Sequence, residues 1–137
     1  MFFNKKKSSK NENSYLIKIG ALLIHAAKID ENYSKDEEEI IKKTLLDLGA
    51  NQNELKSLIF EAEKCEENAN QILDFTREIK NLGEIDKIKI IKSLWKIIYS
   101  NKDADIYETN LMRRLAGLLY VDSKTMGDIK EQIKKNL

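Results

Sequence analysis

Apolar residues recur at spacings of three and four along most of the chain, a period that predicts α-helices. Short polar stretches and two glycines, Gly49 and Gly83, separate the periodic segments. The pattern predicts seven helices, at about 14–28, 35–48, 53–68, 70–82, a strongly apolar segment after Gly83, 106–120 and 123–136. Because the linkers are short, neighbouring helices are expected to pack against each other in a compact bundle.

Composition supports the same fold class. The chain has 137 residues, no proline and five glycines, so it is poor in residues that break helices. Its length fits one domain, and we predict an all-α, compact single-domain bundle of about seven helices. A single cysteine, Cys65, excludes an internal disulfide, and no Cys/His pattern for zinc is present, which suits a reducing cytoplasm.

The apolar stretches of the chain predict where in the cell the protein is found. The longest strongly apolar stretch, residues 21–27, is far shorter than the roughly twenty residues that a bilayer span needs. The first ten residues, MFFNKKKSSK, have no apolar core long enough for a signal peptide. We therefore expect a soluble, cytoplasmic protein with a flexible basic N-terminal tail at residues 1–13 and a helical domain at residues 14–137.

The tail differs in charge from the rest of the chain. Residues 1–10 carry four lysines and no acid, which leaves 20 basic and 23 acidic residues, or about −3, in the remainder. Its predicted role is to solubilise the chain, and the alternative is weak contact with anionic lipid, with Phe2 and Phe3 as shallow anchors.

The sequence also repeats itself at an offset of 71 residues. Seven buried-type positions coincide without a gap: Leu23 with Leu94, Ile24 with Trp95, Ala26 with Ile97, Ala27 with Ile98, Ile40 with Leu111, Ile41 with Met112, and Leu48 with Leu119. The helix start signals coincide as well, since SKDE at 34–37 falls on DIYE at 105–108. In each, a short oxygen-bearing side chain can cap the helix while the glutamate reaches back. The sequence therefore predicts a duplicated helical hairpin.

The densest chemistry lies in IDENYSKDEEE at 29–39, which has six acids in eleven positions. An EF-hand that starts at Asp30 needs glycine at its sixth position and glutamate at its twelfth, but Lys35 and Ile41 stand there. The glutamates of the helix's first turn interact favourably with the helix dipole without any ligand. Asp30 and Asn32 precede the helix and gain little from the dipole, so they are the stronger candidates for function.

We predict a metal site from these acids and their counterparts in the repeat. Hard oxygen ligands of this kind favour calcium or magnesium over zinc. The candidate ligands are Asp30, Asn32, Glu37, Asp103, Asp105 and Glu108.

No catalytic or cofactor-binding residue is predicted. The chain has no Ser/His/Asp set, glycine-rich phosphate loop or paired-acid motif of known spacing. His25 lies in an apolar helix without a second histidine or cysteine placed to help it, so a structural role is expected.

Four lysines, Lys87, Lys89, Lys92 and Lys96, are interpreted as an exposed stripe. The near-neutral net charge and the interleaved acids argue against nucleic-acid binding.

Specific motifs resemble a known family. They are LW followed by Y at Leu94, Trp95 and Tyr99, the pattern D-x-Y-E-x-N-L-x-R-R-x-A-G-L-L-Y-V at 105–121, and FTR at 75–77. Together with the first hairpin they resemble the bacterial TerB-like tellurite-resistance family, over nearly all of the chain after about Leu16. The resemblance implies a compact all-helical protein with an internal duplication.

The resemblance also bears on the two loops. Family members typically have Asp-Gly-Glu or a similar sequence in each loop, followed by a capping residue and a glutamate. The first loop keeps Asp30 and Glu37 but has Glu31 for glycine, and the second has Asn101 for aspartate and Lys102 for glycine.

What the family implies about activity is a stress response to tellurite, oxidants or phage. It implies no catalysis, and action through metal or protein contacts, some of them near the inner membrane. The first hypothesis is therefore an adaptor that offers its acidic loops to a protein partner, or weakly to a divalent cation. The alternatives are an enzyme that uses the carboxylates of Asp30, Glu37, Asp103 and Glu108, and a membrane-surface tether that acts through residues 1–10.

Overall fold

A computed structural model describes the backbone of residues 2–29, 33–100 and 106–136, and the side chains of residues 14–29, 33–100 and 109–136. Its helices are α1 (Phe2–Lys28), α2 (Lys35–Asp47), α3 (Leu55–Asn68), α4 (Leu73–Ile79), α5 (Glu84–Tyr99), α6 (Ile106–Leu118) and α7 (Ser123–Lys135). A single 3₁₀ turn, Gln52–Glu54, precedes α3, and these described residues contain no strand. The prediction of an all-α fold with seven helices is confirmed.

The largest differences from the predicted helix boundaries are at α1 and α4, and the other ends agree within two residues. Helix α1 begins at Phe2 rather than near residue 14, and residues 2–13 contain no glycine or proline that would stop a helix. The flexibility and the lipid contact of this basic segment stay predictions. Helix α4 is shorter than predicted because the carboxylate of Asp74 accepts hydrogen bonds from the backbone N–H groups of Asn70 and Gln71, which shapes a turn before the helix.

The core is centred on α1 and α5. Helix α1 packs against α2, α3, α4 and α5, and α5 packs against α1, α2 and α7. The side chains of Leu22, Leu23, Ile24, Ile90, Ile91 and Leu94 are fully buried in these two helices. Leu23 and Leu94 are equivalent in the repeat, so each copy of the hairpin contributes its first helix to the centre.

Helices α1 and α3 approach each other closely at Gly20. A Cβ atom placed on Gly20 would lie 2.9 Å from the Cβ of Ala62, which is closer than carbon atoms pack. Both residues are buried, and the small side chains let the two helix backbones meet. This contact fixes the position of α3 against the start of the core.

The predicted repeat is present in the backbone, down to individual hydrogen bonds. At the end of α2, the N–H groups of Leu48, Gly49 and Ala50 donate to the carbonyls of Thr44, Leu46 and Leu45. At the end of α6, the N–H groups of Leu119, Tyr120 and Val121 donate to the carbonyls of Leu115, Gly117 and Ala116, each 71 residues later. Both ends use a residue of positive φ, 108° at Gly49 and 57° at Tyr120. This is the common helix ending in which a left-handed residue is followed by one whose N–H donates back to a carbonyl in the last turn, here Ala50 to Leu45 and Val121 to Ala116.

The repeat extends further than the predicted hairpin. Asn51 follows the first helix ending and accepts a hydrogen bond from the N–H of Asn53, and its counterpart Asp122 accepts one from the N–H of Thr125. Each residue therefore starts the next helical segment. The repeated unit has three helices, α1–α2–α3 and α5–α6–α7, with α4 between the two copies.

The predicted stripe of lysines on α5 is wrong for one member. Lys92 and Lys96 are exposed and Lys89 is half-buried, with its ammonium donating to the carbonyl of Asp47 at 3.3 Å. Lys87, in contrast, is buried. Successive helical residues rotate by about 100°, so Lys89, Lys92 and Lys96 share one face while Lys87 lies on the opposite side.

Candidate functional site

The acidic segment leads into α2 through a capping box. Ser34 has extended backbone (φ −89°, ψ 168°), and its hydroxyl oxygen accepts a hydrogen bond from the N–H of Glu37 at 3.2 Å. The Oε1 atom of Glu37 accepts a hydrogen bond from the N–H of Ser34 at 2.8 Å. The predicted cap at this helix start is confirmed, and it satisfies two backbone donors that the helix leaves unpaired.

Glu37 was predicted as a metal ligand, and the structure gives its carboxylate a structural role. The side chain is only 1% exposed and is held by the backbone of Ser34. The neighbouring acids Glu38 and Glu39 lie 3.4 Å and 3.7 Å from the ammonium of Lys42. Replacing Glu37 therefore removes a helix cap, so a loss of function in that variant alone does not identify a ligand.

The other predicted ligands cannot be placed against Glu37. Asp30, Asn32, Asp103 and Asp105 lie outside the described residues, and only the backbone of Glu108 is described. Among the side chains that the structure describes, no group of three or more His, Cys, Asp or Glu residues is arranged to hold a metal ion. The six-residue site stays a prediction.

Tyr33 lies at the exit of the first acidic loop and is a feature that the sequence reasoning missed. Its hydroxyl is buried and has no hydrogen-bond partner among the described residues. Burial raises the pKa of this phenol, and the carboxylates of Glu38, Glu63 and Glu37 raise it further. Tyr33 therefore carries a neutral O–H group in acidic surroundings. The sequence feature that could have identified Tyr33 is its position as a single aromatic residue directly before the capping serine.

A small ionic cluster fixes the other end of this loop. The ammonium of Lys28 donates to Oε1 of Glu66 at 2.9 Å, and Nδ1 of His25 lies 3.4 Å from Oε2 of the same carboxylate. The hydrogen bond to Glu66 raises the pKa of Lys28, although partial burial acts in the opposite direction. His25 is half-buried and its ring lies 6.0 Å from that of Phe75, in agreement with the structural role expected for it. The cluster joins the end of α1 to α3.

The comparison with protein families agrees with this architecture. The model of a family described as tellurite resistance protein TerB matches residues 16–131. The chain belongs to the TerB family. Comparison with curated proteins and with solved structures found no match. The TerB match covers most of both three-helix repeats and both acidic loops, and it confirms the resemblance seen in the motifs.

In the part of the chain that the structure describes, no helix is both long enough and apolar enough to cross a bilayer. The longest, α1, includes two charged residues in its apolar half, Lys18 and Lys28, and Lys28 is paired with Glu66.

Proposed function

We propose that this TerB protein is a non-enzymatic adaptor of the tellurite-resistance type. In this proposal its two acidic interhelical loops bind a protein partner or, more weakly, a divalent cation such as calcium or magnesium. The observation that carries the proposal is that both ends of the first loop are held in place. Lys28 and Glu66 hold the end of α1, and the capping box of Ser34 and Glu37 holds the start of α2.

Such an arrangement favours binding for an entropic reason. A loop whose ends are already fixed loses less conformational freedom when a ligand binds than a long mobile loop does. Only residues 29–33 separate the two fixed points, so Asp30 and Asn32 lie on a short connection. The acids Asp36, Glu38 and Glu39 in the first turns of α2 add negative charge beside it, which attracts a cation or a basic surface.

The repeat extends the same argument to the second loop. Asp105 and Glu108 occupy the sequence positions that correspond to Ser34 and Glu37, and Asp103 precedes them. The proposal therefore assigns the ligand role to Asp30, Asn32 and Asp103, which is the counterpart of Asn32. Ser34 with Glu37, and Asp105 with Glu108, are given the role of caps that hold the loops.

The test is the double variant Asp30→Asn/Asp103→Asn, which leaves both predicted caps intact. The matched control is Asp128→Asn, an exposed aspartate on α7. The full-length proteins, each carrying the same affinity tag, are compared in the native host by quantitative mass spectrometry of the retained proteins. The purified chains are titrated by calorimetry with calcium chloride and magnesium chloride.

We expect one defined protein, or saturable heat with one of the two salts, for the wild type and for Asp128→Asn. Both signals are expected to be lost in the double variant while its far-UV circular dichroism is unchanged. If the double variant retains the same protein as the wild type and none of the chains gives heat at millimolar salt, the proposal is wrong.

A further inference from the structure

Two residues of the second repeat depart from their counterparts in the first repeat, and they meet at one place. Lys87 corresponds to Leu16, and Tyr120 corresponds to Gly49, at the offset of 71 that relates the repeats. Leu16 and Lys87 are both buried, so a lysine occupies what is a leucine position in the core of the first repeat.

Lys87 is 8% exposed, and it forms no ion pair or hydrogen bond with the described residues. Its aliphatic stem accounts for this burial, because the ammonium is not among the buried side-chain atoms that lack a hydrogen-bond partner and therefore reaches the surface. The repeat shows that an apolar side chain fits at this position. The lysine is therefore not required by packing, and it brings to this surface a positive charge that forms no ion pair with the described residues.

Tyr120 is the second departure. Its φ of 57° is a left-handed conformation that costs an L-residue roughly 1 kcal/mol or more and costs glycine little. The first repeat makes the same helix ending with Gly49, so the backbone does not require a side chain here. The tyrosine is also 69% exposed and gains little from burial.

The two residues form one surface with cations around an aromatic ring. The ammonium groups of Lys80 and Lys87 each lie 5.8 Å from the centre of the Tyr120 ring. Leu73, Arg77, Lys80 and Tyr120 also line a groove of about 140 Å³ between α4 and the end of α6, together with Thr76, Gly117 and Leu118. No residue of this lining is acidic, and Leu73 is 38% exposed.

We propose that this surface, the basic aromatic groove lined by Leu73, Arg77, Lys80 and Tyr120 with Lys87 beside the Tyr120 ring, binds an acidic segment of a partner protein. A carboxylate of that segment pairs with these cations, and an adjacent apolar side chain packs on Leu73 and Tyr120. Charge complementarity selects the occupant, because the groove offers cationic donors and apolar carbon, and its volume suits about one side chain.

The groove is separate from the acidic loops. Lys87 is in the first turn of α5, and the second acidic loop follows the last turn of the same helix. The twelve-residue step from Lys87 to Tyr99 rises about 18 Å along the helix, so one ligand of small size cannot reach both. Failure of either proposal leaves the other unaffected.

The test is an NMR titration of the full-length chain with a capped synthetic hexapeptide of alternating leucine and aspartate. Saturable shifts are expected at the backbone amides of Leu73 and Tyr120, with weaker binding as salt rises. In Lys87→Leu/Tyr120→Gly, which restores the residues of the first repeat, the peptide is expected to bind at least tenfold more weakly. Lys92→Leu, an exposed lysine on the same helix, is the matched control and is expected to bind as the wild type does.

Four results would overturn the proposal. The first two are no shift at the amides of Leu73 and Tyr120 with millimolar peptide, and equal binding of a peptide that has asparagine in place of aspartate. The third is tighter binding of an oligothymidylate than of the peptide. The fourth is a shift at these amides that depends on protein concentration without peptide, which would indicate that a second copy of the chain binds there. If the double variant does not fold, Arg77→Gln/Lys80→Gln provides the same comparison, and unchanged affinity in that variant overturns the proposal.

Discussion

The two three-helix repeats share a backbone and differ in what they do with it. Both end their second helix with the same three hydrogen bonds and a left-handed residue, and both start the third helical segment with a side-chain cap. The first repeat uses Leu16 and Gly49 at two positions where the second has Lys87 and Tyr120. The shared backbone does not require either of these residues, and the proposed basic aromatic groove gives both of them a role.

Packing between the first and third helices of each repeat also differs. Gly20 and Ala62 bring α1 and α3 together, whereas their counterparts Ile91 and Ile133 are both buried in α5 and α7. Helix α1 contacts α3 more extensively than α5 contacts α7. Small residues let the two helices approach closely in the first repeat, and the second repeat has large buried side chains at both equivalent positions.

The largest expected effect comes from giving the first repeat the residue of the second at this contact. Gly20→Ile places a side chain where even a Cβ would lie 2.9 Å from that of Ala62. We expect the free energy of unfolding to fall by about 1–3 kcal/mol, the usual cost of overpacking a core, as measured by urea denaturation. The control is Gly127→Ala on α7, where the added Cβ meets no atom within 4 Å and stability is expected to rise by about 0.4–1 kcal/mol. Unchanged stability of Gly20→Ile would show that α1 and α3 do not touch there.

A smaller effect is expected at the helix cap of the first repeat. Ser34→Ala removes the side chain that accepts the N–H of Glu37, and loss of such a cap costs about 1 kcal/mol of unfolding free energy. Ser57→Ala, at an exposed position inside α3, serves as the control and is expected to have little effect. Asp105→Ala then tests the equivalence of the repeats, because an equal loss is expected if Asp105 caps α6. A loss no larger than that of Ser57→Ala would contradict it.

The smallest expected effect is on how the free energy of unfolding depends on pH, because the third helical segments of the two repeats have different caps. Hydrogen bonding to Thr125, whose N–H lies 2.6 Å from Oδ1, lowers the pKa of Asp122, whereas the equivalent Asn51 does not titrate. Because the folded pKa lies below the unfolded value, this contribution to stability is present above the unfolded pKa and is lost as pH falls through the folded one. The unfolding free energy of the wild type is expected to exceed that of Asp122→Asn at neutral pH, and the gap is expected to close in strong acid. A gap that does not change with pH would exclude a charged cap.

Much of the fold could be predicted from the spacing of apolar residues, since seven helices with short connections leave few ways to bury their apolar faces. The first cap was predictable because its residues are adjacent in sequence. The contact between Gly20 and Ala62 was not, since helical periodicity gives a face and does not give the distance between two helices.

Lys87 and Tyr120 were placed wrongly by the sequence-based prediction for a different reason. Lys87 was grouped with Lys89, Lys92 and Lys96 by composition, although a rotation of about 100° per residue places it on the opposite face. Tyr120 was included in the predicted sixth helix, although the repeat aligns it with the helix-ending Gly49. Both residues could have been found by extending the alignment of the repeats beyond the apolar positions.

The central claim is that the second repeat holds Lys87 and Tyr120 at a cost to its stability. The most direct measurement is urea denaturation of Lys87→Leu/Tyr120→Gly beside the wild type. The account predicts a higher midpoint with an unchanged dependence on urea, since a leucine replaces a lysine at a core position and a strained backbone conformation is removed. A midpoint equal to or below that of the wild type would contradict it, because the two residues would then be part of what holds the second repeat together.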